Sequence, residues 1–260
     1  LTYPSPAPTD TPRPAATIPR TAAPAETCWS HSGRLVKGVI DTELLDKPMT
    51  YTVYQPPCYA EKTALRYPVL YLLHGQDSHE DQWLRLGVPA TADRLIAAGE
   101  MPPFIIVFPY DYSHQQPDDY GFEAVFLQLL IPRIDLTYRT LTDPAHRAVG
   151  GLSRGGAWAL HLGLHHPEVF GVIGAHSPAI FYADYNSLPL IVNAIPPEKL
   201  PRISIDIGDG DGGLGSVETF TNFLNVHNIP HEWQEHIGFH EEKYWAAHVE
   251  EYLRWYAQTW

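Results

Sequence analysis

No apolar run in this sequence approaches the roughly 18 residues that a membrane span requires. Its apolar stretches, such as Phe104 to Phe108, are strand-sized. Basic residues are scarce as well: 17 Lys and Arg stand against 30 Asp and Glu, a formal net charge of -13. That charge repels phosphate backbones and anionic lipid surfaces, so neither nucleic acid nor a charged membrane is an expected partner. The first residues carry neither the basic start nor the apolar stretch of a signal peptide, and Leu1 is not an initiator methionine, so a segment upstream is expected. Cysteine is limited to Cys28 and Cys58, which permit one bridge. They flank the first strand-like segments, and a disulfide between them suits an exported protein better than two exposed thiols do. Against these shortages, 44% of the 260 residues are apolar and 18% charged, enough for one large globular domain with a substantial core.

Residues 1–27 form a run of Pro, Thr, Ala and Ser with prolines at 4, 6, 8, 12, 14, 19 and 24 and almost nothing large to bury. Proline fixes φ and removes a donor, so this segment reads as an extended linker or tether, lipid-anchored, wall-anchored or glycosylated, ahead of a catalytic domain over 28–260. From Gly33 onward strand and helix patterns alternate. Strands are expected at Leu35–Ile40, Tyr51–Tyr54, Val69–Leu73, Phe104–Phe108, Ala148–Gly150, Val172–Ala175, Ile203–Ile207 and His231–His236. Helices are expected at Ala90–Ala98, Phe122–Tyr138 with a disturbance at Pro132, Arg154–Leu164, Val217–Asn225 and Glu241–Tyr256. Such alternation implies an α/β fold with a mostly parallel sheet covered on both faces.

The sharpest motif is Gly151-Leu152-Ser153-Arg154-Gly155, between the small-residue strand at Ala148 and a helix that opens at Arg154. Strand, sharp turn and helix are the setting of a nucleophile elbow, in which small flanking residues let the chain bend and expose the serine hydroxyl. A structural glycine turn is the plainer alternative. A serine hydroxyl needs an imidazole to take its proton and a carboxylate to orient that imidazole, and on such folds they follow in the order Ser, acid, His. Five histidines lie far enough along the chain; His240 is preferred because it follows a strand and precedes the last helix, whereas His227 and His248 fall in helix patterns and His231 and His236 in a strand. For the acid, the strand Ile203–Ile207 runs into Gly208-Asp209-Gly210-Asp211-Gly212-Gly213. Asp211 is preferred, Asp209 is the alternative, and Asp206 reads as a strand residue facing a polar neighbour. A calcium-loop reading of these aspartates lacks the remaining oxygen ligands.

Two backbone N–H groups must face the oxyanion, and those of Arg154, just after the nucleophile, and Gln76, just after the strand ending in Leu73-His74-Gly75, are the candidates. His74 itself reads as structural. Trp83 lies in the same region and is a candidate for lining a substrate pocket, with core packing as the alternative. Arg147, His165 and His166 lack partners at metal-ligand spacing and read as helix-end caps and surface charge, so no metal is expected.

From about Tyr51 to the C-terminus the sequence resembles the esterase family that includes esterase D, bacterial feruloyl and acetyl-xylan esterases and the mycolyltransferases of the antigen 85 complex. The resemblance is carried by Tyr71-Leu72-Leu73-His74-Gly75 with Trp83, by Ile131-Pro132 with Asp135 and Tyr138-Arg139, and by Arg147 to Gly156 around the elbow. Gly208 to Asp211 and Gly238-Phe239-His240 complete it. It implies an α/β-hydrolase fold without a large lid and supports Ser153, Asp211 and His240 individually. It further implies a serine esterase that needs no cofactor. Among the family's substrates, feruloyl or acetyl groups on plant polysaccharide suit an exported, acidic, tethered enzyme. Acyl transfer to a sugar acceptor, and non-catalytic carbohydrate binding on the same scaffold, are the competing readings.

Overall fold

The computed structural model describes residues 27–260, and the tether expected over 1–27 lies outside them save for Thr27. Eight strands form one sheet: β1 (Arg34–Ile40), β2 (Met49–Gln55), β3 (Val69–Leu73), β4 (Ile105–Pro109), β5 (Arg147–Leu152), β6 (Val172–His176), β7 (Arg202–Gly208) and β8 (Glu232–His236). Their spatial order is β1-β2-β4-β3-β5-β6-β7-β8. The β1–β2 hairpin pairs antiparallel and β2 joins β4 antiparallel; every pairing from β4 through β8 is parallel. The central strands read as unbroken apolar runs because both their faces are covered.

Seven helices lie in the crossovers, α1 (Gln82–Arg85), α2 (Val88–Ala97), α3 (Phe122–Val125), α4 (Ile131–Thr137), α5 (Arg154–His165), α6 (Tyr182–Ala194) and α7 (Leu214–Val226), and α8 (Glu242–Ala257) follows the last strand. Successive strand residues point to opposite faces, so Val69, Tyr71 and Leu73 join one core, with Trp158, Leu188 and Phe220, while Leu70 and Leu72 join the other, with Leu95, Trp245 and Tyr256. Helices α2 and α8 thus cover one face of the sheet, and α3 to α7 the other.

The helix expected over 122–138 is one helical segment with a π turn at Phe126–Leu130 between α3 and α4. Pro132 has no N–H to donate and its ring crowds the preceding turn, and the widened turn sits directly ahead of it. Helix α6 has no counterpart in the expected elements. Arg147, expected at the surface, is buried and pairs with Asp135 at 2.7 Å. Cys28 and Cys58 form a disulfide, which ties the turn before β1 to the turn that follows β2. Among the described residues no helix is long and apolar enough to cross a membrane.

Candidate active site

The C-terminal edge of the parallel strands gathers the loops that follow β3, β4, β5, β7 and β8, the place where open α/β sheets bind ligands. Ser153 connects β5 to α5 with φ 53° and ψ −119°, a region that side chains normally avoid. Its N–H donates to His176 O at 2.9 Å, and its carbonyl accepts from Ala157 and Ala179, so the strained turn is held from both sides. The glycines of the motif are steric requirements here. A Cβ at Gly151 would lie 2.4 Å from the Gly155 backbone, and one at Gly155 would lie 2.3 Å from Leu73 O.

His240 stands on the short loop between β8 and α8. Its Nε2 accepts from Ser153 Oγ at 2.9 Å, and its Nδ1 donates to Asp211 Oδ2 at 2.7 Å. Trp245 of α8 meets the imidazole edge-on, with ring centroids 5.0 Å apart. The Asp211 carboxylate is buried just before α7; its other oxygen accepts from Gly213 N–H at 2.8 Å, and the positive end of α7 favours its negative charge. Asp209, the alternative acid, is exposed and turned elsewhere: its Oδ1 accepts from Gly238 N–H at 3.0 Å. With Gly210 N–H donating to Gly238 O, it fastens the histidine loop to the acid loop. The structure therefore brings Ser153, His240 and Asp211 into one hydrogen-bonded line and leaves Asp209 as a brace.

Gly75 lies against the elbow, where a Cβ would be 3.5 Å from Ser153 Cβ. Its N–H donates to Gln82 Oε1 at 2.8 Å, and its carbonyl accepts from His74 Nδ1 at 2.7 Å and from Ser78 N–H. In a trans peptide the C=O and the following N–H point in opposite directions, so turning Gly75 O inward turns Gln76 N–H outward. Gln76 is exposed, and Arg154 opens α5, where first-turn N–H groups have no partner within the helix. His74 Nε2 accepts from Asp111 N–H at 2.9 Å, which leaves its proton on Nδ1 and its ring neutral; burial lowers its pKa in the same sense. The Arg154 side chain runs back under the site, where its Nε meets Asp111 Oδ2 at 2.8 Å and its Nη2 donates to Gln115 O. Trp158 donates to the same Asp111 oxygen.

Trp83 does not line a pocket. It is 1% exposed, donates its indole N–H to Leu73 O and packs edge-on against His176 and Tyr252. The residue that organises the neighbouring loops is Asp111, absent from the sequence expectations; its one legible signal was its position just past β4 at the ligand-binding edge of the sheet. His165 and His166 do stand at the C-terminal end of α5, as expected, but they are half-buried and not free surface charge. His166 Nε2 reaches Glu123, whose other oxygen faces His161, and His161 Nδ1 binds Asp184 of α6 at 2.7 Å. His165 Nδ1 lies 2.9 Å from His161 O.

The model of the family described as "Putative esterase" matches residues 42–258. Among curated proteins the chain is 34% identical over 165 residues to an endo-1,4-beta-xylanase/feruloyl esterase of Xylanibacter ruminicola, an alignment of 59% of this chain and 23% of that protein. It is 33% identical over 155 residues to an esterase of Mycobacterium tuberculosis, covering 55% of this chain and 31% of the relative. The matched region thus spans less than a third of either curated relative. Among solved structures, a ferulic acid esterase superimposes with a TM-score of 0.78 at 26% identity, over 88% of this chain and 99% of that one. A ferulic acid esterase of Anaeromyces mucronatus in complex with ferulic acid superimposes with a TM-score of 0.70 at 20% identity, over 86% of this chain and 90% of its own.

Proposed function

This chain belongs to the Putative esterase family and has the α/β-hydrolase fold, and from that premise we propose that it is a serine esterase that removes feruloyl or acetyl groups from plant polysaccharide through an acyl-enzyme. The observation that carries the reading is the unbroken line from Ser153 Oγ through His240 to the buried Asp211 carboxylate, 2.9 and 2.7 Å per step. Ser153 Oγ attacks the ester carbonyl while its proton passes to His240 Nε2, and Asp211 holds the imidazolium that forms. The carbonyl oxygen takes the negative charge and is met by the N–H groups of Gln76 and Arg154. Collapse breaks the bond to the alcohol, which leaves with the proton from His240; water then enters, gives a proton to His240, and releases the acid and Ser153. Every step is proton transfer and acyl transfer, for which the side chains in place suffice without a cofactor.

Supporting the substrate class are the exposed aromatic residues at the rim. Phe239, immediately before His240, is 62% exposed, and Tyr182, just beyond the loop whose Ala179 N–H binds Ser153 O, is 75% exposed. Aromatic faces of this kind suit a hydroxycinnamoyl ring or a sugar. The bridge between Cys28 and Cys58 is consistent with an oxidising compartment, and the proline-rich segment 1–27 is part of the proposal as a spacer that holds the catalytic domain 28–260 away from an anchor.

The test is hydrolysis of a panel of acetyl, feruloyl and longer acyl esters by the protein and by Ser153→Ala. Loss of about a millionfold in kcat on substitution is expected. Equal hydrolysis by both proteins contradicts the mechanism, and a panel in which feruloyl and acetyl esters are the poorest substrates contradicts the substrate class. A product dominated by transfer to an added sugar makes the protein an acyltransferase instead.

A further inference from the structure

Beside the oxyanion loop lies a cleft of about 230 Å³ that the ester chemistry does not use. One wall is Asp77 to His79, on the loop after β3; the other is Tyr110 to His114, on the loop after β4. We propose that this cleft is a subsite for one neutral sugar ring of the ester substrate, on the alcohol side of the scissile bond. The inference rests on the proposed esterase reading and adds to it where the carbohydrate is held.

Position comes first. The wall at Asp77 begins two residues after Gly75, where an added Cβ would be 3.5 Å from Ser153 Cβ, and the opposite wall contains Asp111, which is paired with Arg154 next to the nucleophile. The cleft therefore adjoins the loops that flank the elbow, on the side of Gln76.

Chemistry comes second. Each residue that lines the cleft is Asp, Ser, His or Tyr, and none is aliphatic. An alkyl acyl chain would find no apolar wall to desolvate it, whereas a sugar presents C–H faces to aromatic rings and hydroxyls to polar groups at once. Tyr110 and Tyr112 supply the rings, their centroids 6.2 Å apart and inclined at 52°, and His79 stands 5.1 Å from Tyr110. Hydroxyl partners come from Ser78, His114 and Asp77. Asp77 Oδ1 is engaged by His114 Nε2 at 2.8 Å and the buried Asp111 is paired with Arg154, so neither carboxylate stands free to draw a cation, and no Lys or Arg lines the cleft to draw an anion.

Rigidity comes third. His74 ties the two loops together, through Nδ1 to Gly75 O just ahead of the first wall and through Nε2 to Asp111 N–H in the second, and Asp111 Oδ1 accepts from Ser113 N–H. A cleft held in shape before the ligand arrives loses less entropy on binding. Its volume is below the roughly 300–1,000 Å³ of pockets that enclose a drug-sized ligand, which fits one ring and not an oligosaccharide.

Two measurements test the assignment. In the first, Tyr110→Ala and His114→Ala are compared with the unsubstituted protein on a feruloylated arabinoxylo-oligosaccharide and on methyl ferulate, which has no sugar. The ratio of kcat/KM for the sugar ester to that for methyl ferulate should fall about tenfold, the effect of losing about 1.4 kcal/mol of sugar contact, and through KM. An unchanged ratio, with both substrates affected alike or neither affected, overturns the subsite, because it places the acyl group or nothing there. In the second, Ser153→Ala is titrated with unesterified arabinoxylo-oligosaccharide by calorimetry or NMR. Binding that His114→Ala weakens supports the subsite even if no feruloyl ester is hydrolysed, in which case the proposed reaction fails and the subsite stands. No binding at millimolar sugar overturns the subsite and leaves the esterase reading to its own test.

Discussion

Ser153, His240 and Asp211 are drawn from three loops, and what each contributes depends on contacts that its own sequence neighbourhood does not reveal. Asp211 has one oxygen on His240 and the other on Gly213 N–H, while Asp209 bonds the Gly238 backbone. Asp211→Asn should lower kcat by about ten-thousandfold, since an amide in place of the carboxylate leaves His240 in the wrong tautomer. Asp209→Asn, measured in the same assay, should cost far less because an amide oxygen can still accept from Gly238. A reversed order of the two effects would make Asp209 the acid. That Ser153 and His240 would meet was legible because motif context and chain order restrict both strongly. The carboxylate that meets His240 was legible only as a choice between two residues on one Gly-Asp loop, since burial and the N-terminus of α7 separate them in space and not in sequence. Trp83 was misread because an aromatic close to a motif looks the same whether it faces a pocket or the core. His74 and Asp111 escaped a functional reading because their work is done through a ring nitrogen and a backbone N–H across two loops.

At the scale of elements, the strands were read well and the irregular helices poorly. Apolar runs in β3, β4 and β5 follow directly from burial on both faces. Helix α6 gave no comparable signal: it contains Pro189, and its few buried positions include Asp184, a charged residue that no hydrophobic pattern would place inside. Its burial makes sense only with its partner, His161 of α5, 23 residues earlier in the chain. The π turn before Pro132 likewise follows from one residue's missing donor and not from a pattern. The bridge between Cys28 and Cys58 closes a loop of 30 residues, and constraint of the unfolded chain at that length contributes about 3–4 kcal/mol. Urea unfolding of Cys28→Ser/Cys58→Ser should show a loss of this size with the site and its activity retained; an unchanged midpoint would mean that the turn before β1 is held by its packing alone.

At the scale of the molecule, both faces of the sheet carry buried charge, and this sets how stability responds to pH. On the α5–α6 side, burial opposes the charged form of His161, but Asp184 and Glu123 outweigh it and raise its pKa to about 9. A raised value means that the contribution is complete below the unfolded value near 6.5 and is lost as pH rises through about 9, an effect on the order of 3 kcal/mol. Thermal melts should therefore decline over that interval, and Asp184→Asn should flatten the decline; a melting temperature constant to pH 10 would contradict the pairing. On the α8 side, burial would raise the pKa of Asp206, but His176 and the hydroxyls of Tyr244 and Tyr252 outweigh it and hold it below 3.8. That contribution is complete above 3.8 and is lost as pH falls through the depressed value. Asp206→Ala, which strands His176 and two tyrosine hydroxyls, should cost about 3–5 kcal/mol.

The central claim, that Ser153 is a nucleophile made reactive by His240, is tested most directly by peptide-mapped mass spectrometry after treatment with a fluorophosphonate. One adduct per chain, on Ser153, with labelling nearly abolished in His240→Ala, is the predicted result. Label on another residue, or none on a protein that hydrolyses esters, would contradict it.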